Sequence, residues 1–250
     1  MKLLRLYLLG LTTWLLAGCQ KELTQPVVHG AVQLQLQHTA GSQPLVLNTT
    51  YSNRFGEDFT LSKFKYYISN IALVDAADQK HPVPDTYFLV DENNPASKTF
   101  SINAEGGNYK AIQFLLGVDS TRNVSGAQTG ALDPMLDMFW TWNTGYIMAK
   151  LEGTAPLSNL PNQKVEYHIG GFKGADGVLR TVTLPFNQTY TIAENKPLTI
   201  QLNADIFNWF DAVHSLPIAA QPTCTAPGSL ASRFADNYAR MFTITSILQP

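Results

Sequence analysis

The stretch Met138 to Tyr146, MFWTWNTGY, gathers oxidisable and metal-ligating side chain types more densely than any other part of the chain. In an extended backbone, side chains two residues apart point the same way, so Met138, Trp140 and Trp142 would share one face. Two indoles and a soft thioether make such a face electron-rich. A second candidate is His168 in YHIGGF, where Glu166 and His168 fall on one face of a strand and Val165, Tyr167 and Ile169 on the other. That polar face is either solvated or lines a site. A third is His38, which continues the alternation of Val32, Leu34 and Leu36 against Gln33, Gln35 and Gln37 and so stands on the inward side of a half-buried strand. Each has an ordinary alternative. Paired tryptophans are more often core or rim aromatics than redox groups, and an inward histidine is more often a hydrogen-bonded core residue than a ligand.

Other chemistry is thin. The stretch Gly117 to Asn123, GVDSTRN, offers carboxylate and amide oxygens that could hold a hard cation or simply bond their own backbone. His214 and Cys224 lie in a Pro-rich loop and could add ligands, whereas His29, and His81 before Pro82, are expected to be dispensable. No glycine-rich phosphate loop, nucleophile elbow, His-Glu-x-x-His or paired-cysteine motif is present, so no enzyme activity is expected. A formal net charge of -2 with 14% charged residues and no basic run argues against nucleic acid as a partner.

The elements that must position these residues read as strands. Alternating runs are expected over Val32 to His38, Phe59 to Val74, Thr86 to Val90, Lys98 to Ile102 and Tyr109 to Val118. Asn70 marks a bulge, after which Ile71 and Leu73 resume the alternation in the opposite phase. Glu105-Gly106-Gly107-Asn108 reads as a turn that draws on positive φ at glycine. Further strands are expected at Tyr146 to Leu151, Val165 to Ile169, Arg180 to Leu184, Tyr190 to Ile192, Leu198 to Leu202 and Phe242 to Leu248. Short helices are expected over Asp133 to Asp137 and after Ser229, where Leu230, Phe234 and Tyr238 share a face. Many short strands with Gly, Pro and Asn turns predict an all-β, β-sandwich-like domain with a short C-terminal helix.

The N-terminus predicts export. Lys2 and Arg5 precede an apolar run closed by Leu16-Ala17-Gly18-Cys19, a lipoprotein signal peptide over residues 1–19 with Cys19 as the lipidated residue. Residues 20–30 read as a tether and residues 31–250 as one domain. The expected location is the outer membrane, facing periplasm or surface, held by the lipid anchor alone. With Cys19 lipidated, only Cys224 remains, so no intrachain disulfide can form.

FTLSKFKYYISNIAL, LLGVDSTRNVSGAQTGALDP, MFWTWNTGYIMAKLEG, YHIGGF and ADNYARMF follow one another over residues 59 to 242. In this order they resemble the MbnP family, methanobactin-associated periplasmic copper-binding proteins, in its lipoprotein branch. The resemblance implies a β-rich protein with copper as cofactor and histidine ligands, here His38 and His168; since thioether sulfur suits Cu(I), Met138 could add a ligand, as could His214 from its loop. It also implies a di-haem MbnH-type partner enzyme that oxidises a tryptophan, Trp140 or Trp142, to kynurenine, whose aryl amine can coordinate the metal. A different reading keeps the fold and dispenses with metal: Trp140, Trp142 and Tyr146 would stack on a carbohydrate or a protein partner.

Overall fold

The computed structural model describes residues 28–142 and 145–250, so the expected signal peptide, Cys19 and the expected tether up to residue 27 lie outside the described residues. The strands in chain order are β1 (His29–Ala40), β2 (Gln43–Pro44), β3 (Thr50–Ser52), β4 (Asp58–Asp75), β5 (Lys80–Pro82), β6 (Tyr87–Asp91), β7 (Thr99–Glu105) and β8 (Gly107–Leu116). They continue as β9 (Phe139–Trp140), β10 (Gly145–Thr154), β11 (Lys164–Gly170), β12 (Arg180–Ile192), β13 (Leu198–Asp205), β14 (Thr223–Cys224) and β15 (Phe242–Leu248). The helices are α1 (Ser120–Asn123) and α2 (Ser229–Tyr238), with short 3-10 turns between strands.

Two sheets face each other, as the alternating strands require. One has the order β15-β13-β1-β2 with β7 on β1; the other runs β12-β8-β4-β10-β11-β14, with β3, β5 and β6 on β4 and β9 on β10. Val32, Leu34 and Leu36 of β1 pack inward beside Leu198, Ile200 and Leu202 of the parallel strand β13. Across the core, β4 contributes Phe64, Tyr66 and Ile68, all buried. At Asn70 the backbone adopts φ +49°, the pairing with β8 slips between Ser69 and Ala72, and Ile71 and Leu73 take over the inward face. The bulge is therefore where the phase change in the sequence puts it. Along β10 and β11, Leu151 lies beside Phe64 on one side and Tyr167 on the other, which marks the inner face of that sheet.

An aromatic cluster closes one end of the core. Phe234 of α2 packs on Tyr167 at 4.7 Å and Tyr238 on Trp209 at 5.1 Å, while Phe59 meets Phe210 at 5.3 Å. The helix presents Phe234 and Tyr238 at i and i+4, as its sequence pattern demands. Ser229 is not its cap: Gly228 holds that position at φ +146° and no side chain caps the first turn.

Three further expectations are revised. Neither Gly106 nor Gly107 lies in the left-handed region, and the segment is a crossover from β7 in one sheet to β8 in the other. Glycine eases a close approach there: a Cβ at Gly106 would stand 3.1 Å from the Val28 carbonyl oxygen, tighter than ordinary contact. The two runs over Arg180 to Leu184 and Tyr190 to Ile192 form one strand, β12, with an irregularity between Pro185 and Tyr190. The aromatic stretch is not one strand: Phe139–Trp140 form β9, Thr141 and Trp142 already turn, and Gly145 and Tyr146 open β10, which pairs back on β9.

Candidate metal centre

β10 carries Lys150 and Glu152 on its outer face, because Ala149 and Leu151 are the residues that point into the core. Antiparallel pairing sets Lys150 beside His168 and Glu152 beside Glu166 of β11, so the period of two brings four polar side chains to one outer patch. His168 Nε2 lies 2.8 Å from Glu152 Oε1 and 3.7 Å from Glu166 Oε1. Donor atoms of Glu152, Glu166 and His168 all fall within 4.8 Å of one another, and no other such histidine, cysteine or carboxylate trio occurs among the described residues.

Lysines surround the trio. Lys63 reaches Glu152 Oε2 at 3.2 Å and Asp137 Oδ2 at 2.9 Å, and Lys150 reaches Asp137 Oδ2 at 3.0 Å. Lys150 is almost completely buried, and its ammonium also donates to the Asp137 carbonyl. Asp137 accepts them at the end of the 3-10 turn Pro134–Leu136, in a left-handed conformation at φ +63°. This lysine clamp holds the segment before Trp140 over the outer face. The hydrogen bond from His168, followed by the charges of Lys63 and Lys150, pulls the Glu152 carboxyl down to about 2 in spite of burial. Burial pushes Asp137 up, but Lys63 and Lys150 outweigh it and hold it at about 2. These carboxylates are ionised at neutral pH, the state that ligation needs.

The tryptophans complete the patch. Trp140 is 5% exposed, and a Cβ at Gly170 would lie 2.5 Å from its Cζ3 and 2.6 Å from its Cη2. The indole therefore rests directly on the Gly170 backbone, two residues along β11 from His168. This close approach is the structural reason for the first glycine of YHIGGF. Trp142 is 64% exposed and packs against Trp140 with its ring tilted, 5.2 Å between centroids. Met138 is buried, as is Tyr146, whose hydroxyl donates to the Leu132 carbonyl at 2.6 Å. With Trp140 and Tyr146 inside, the three-ring stacking platform considered for a carbohydrate or protein partner is not formed.

His38 is elsewhere. Its ring touches Phe64 at 5.0 Å, on the inner face of the sheet whose outer face carries His168. A full sheet thus separates the two histidines, and the expected single site built from both is not assembled. Burial lowers the pKa of His38 despite an adjacent carboxylate. The neutral ring donates from Nδ1 to Glu92, and Nε2 accepts from Tyr66 Oη at 2.8 Å. Lys98 balances Glu92 from the other side at 2.9 Å. Both ring nitrogens are committed, and Ala204, beside His38 in the sheet, is small.

The remaining candidates have other partners. His214 Nε2 bonds Asp236 at 2.9 Å, and Asp236 is also held by Arg180 at 2.8 Å. Cys224 is buried beside Tyr167 on β14, and burial raises its thiol to about 11, so it is no thiolate ligand at neutral pH. His81 sits between Asp75 at 3.0 Å and Glu105 at 3.6 Å. The GVDSTRN oxygens satisfy local donors: Asp119 caps α1 by accepting from the Thr121 and Arg122 amides. Glu152, Lys63 and Asp137 were not singled out in the sequence, although a lysine and a glutamate inside the apolar strand Tyr146 to Leu151 and just beyond it were a usable signal.

A two-sheet β domain with a histidine and carboxylate cluster beside a buried indole defines the class as a β-sandwich with a candidate metal centre. The MbnP family model matches residues 29–226, and the chain belongs to that family. Family membership suggests a methanobactin-related, copper-associated protein. The solved structure of MbnP from Methylosinus trichosporium is similar with 14% identity and a TM-score of 0.56, covering 89% of this chain and 99% of that one. That likeness establishes the shared fold. A search of the curated proteins gives no match.

Proposed function

We propose that this protein is an exported lipoprotein that binds copper on the outer face of the β10-β11 pair, without enzyme activity of its own. The observation that carries the reading is the convergence of His168, Glu152 and Glu166 donor atoms within 4.8 Å, beneath the segment that bears Trp140. Imidazole and carboxylate together suit Cu(II) and related borderline ions. His168 and the two glutamates would hold the metal; Lys63 and Lys150 keep the Glu152 carboxyl ionised and compete with the ion for it. Bound copper would supply a one-electron redox couple. Of the two indoles, Trp140 is the one whose oxidation to kynurenine would place an aryl amine beside His168. A di-haem MbnH-type partner would make that modification. Lipidation of Cys19 would keep the domain at the outer membrane.

Metal analysis of protein purified from its native host, with peptide mass spectrometry over Met135 to Lys150, tests this reading. The expected result is copper in the purified protein and conversion of Trp140, read as loss of one carbon and gain of one oxygen. Protein with no copper and two intact indoles would overturn it.

A further inference from the structure

Trp140 and Trp142 form a pair in which one ring is sealed and the other is open. Trp140, at 5% exposure, is closed to direct contact with any external redox agent, whereas Trp142 is 64% exposed. Their centroids lie 5.2 Å apart at 41° between planes, within the contact range of aromatic pairs. Among the described residues, Trp142 is the only aromatic ring in contact with Trp140; Phe139 and Tyr146 pair with each other instead, at 5.1 Å. The far edge of Trp140 meets Gly170, on the same strand face as His168. An indole outside, an indole inside and the candidate metal centre thus follow in that order. Indole is among the most easily oxidised side chains, and ring contact at this distance needs no intervening bond for electron transfer.

We propose that Trp142 is the electron port of the site, the surface group from which an external one-electron oxidant draws electrons from Trp140. This rests on the reading of Trp140 given above. The oxidant takes one electron from Trp142; Trp140 then gives one electron to the Trp142 radical cation, which is restored. The net change is one electron lost by Trp140 and one gained by the oxidant, with no bond made or broken. Charging a buried indole is opposed by desolvation, so the hole rests mainly on Trp142 and visits Trp140 transiently. Irreversible chemistry at Trp140 draws it inward. The partner that fits this surface is a protein or complex with a high-potential one-electron centre, which needs no access to the interior.

The test uses metal-free full-length protein and flash-generated tris(bipyridine)ruthenium(III) as a bulky outer-sphere oxidant, with oxidation at each tryptophan read by peptide mass spectrometry. In the wild type, oxidation is expected at Trp140 as well as Trp142. Trp142→Phe should slow oxidation of Trp140 by about tenfold or more, because the remaining route needs local opening of the covering segment. Trp140→Phe should leave oxidation of Trp142 undiminished. Unfolding midpoints verify the fold, which an exposed substitution at Trp142 leaves intact. Equal oxidation of Trp140 with and without Trp142, or oxidation confined to Trp142 in the wild type, would overturn the proposal. A copper titration of the same wild-type protein is read separately, so failure of the metal assignment is distinguished from failure of the port.

Discussion

Replacing His38 with alanine separates a core histidine from a metal ligand. The ring is buried and makes two hydrogen bonds, one to the Glu92 carboxylate and one with the Tyr66 hydroxyl. Its removal leaves the Tyr66 hydroxyl, itself fully enclosed, without a partner, at a cost of about 1–3 kcal/mol. It also takes one donor from the Glu92 carboxylate, which keeps Lys98, and a hydrogen bond to a charged group is worth about 1.5–3 kcal/mol. The two losses overlap because they share one ring, so the expected total for His38→Ala is about 2–5 kcal/mol. His38→Gln, which keeps a donor and an acceptor, should lose roughly half of that. Urea unfolding measures both, with the midpoint falling and the slope unchanged. Copper affinity of the folded variants should match the wild type. If His38→Ala barely moves the midpoint yet abolishes copper binding, the separation of the two histidines by the sheet is wrong.

Gly170→Ala forces Trp140 off the β11 backbone and should cost about 1–3 kcal/mol, with an altered near-ultraviolet dichroism signal; unchanged stability and spectrum would mean the indole does not rest there. Acid should weaken the fold through His38: burial lowers its folded pKa below the ordinary 6.5, so stability is fully present above that value and declines as pH falls. Urea midpoints between pH 7 and 5 should therefore drop in the wild type and flatten in His38→Gln, and parallel slopes would refute the assignment. Cys19→Ser should leave the precursor unprocessed or release the domain from membranes, and mature variant in the membrane fraction would contradict the lipidation signal.

Much of the fold was legible because period-two alternation reports burial directly. The bulge at Asn70 showed as a phase change, and the final strand Phe242 to Leu248 matched in both bounds. What could not be read was which face of which sheet each strand presents to its neighbours. His38 and His168 both alternate cleanly, yet whether two inward or outward positions meet depends on sheet order, which alternation does not encode. Glu57 illustrates the same gap: it is buried and accepts from the Ile218 and Ala219 amides at 2.7 and 2.9 Å, a link across most of the chain that no local pattern announces. At the site, the shared face of Glu166 and His168 was visible, but Glu152 joins them only through the register of β10 on β11. The difference between Trp140 and Trp142 was hidden because the strand ends between them.

Pulsed electron paramagnetic resonance of the Cu(II)-loaded protein tests the central claim most directly, since it counts imidazole nitrogens coupled to the metal. The account predicts the signature of one imidazole, lost in His168→Ala and retained in His38→Ala. Two coupled imidazoles in the wild type, or an unchanged signal in His168→Ala, would contradict a copper centre built on His168, Glu152 and Glu166.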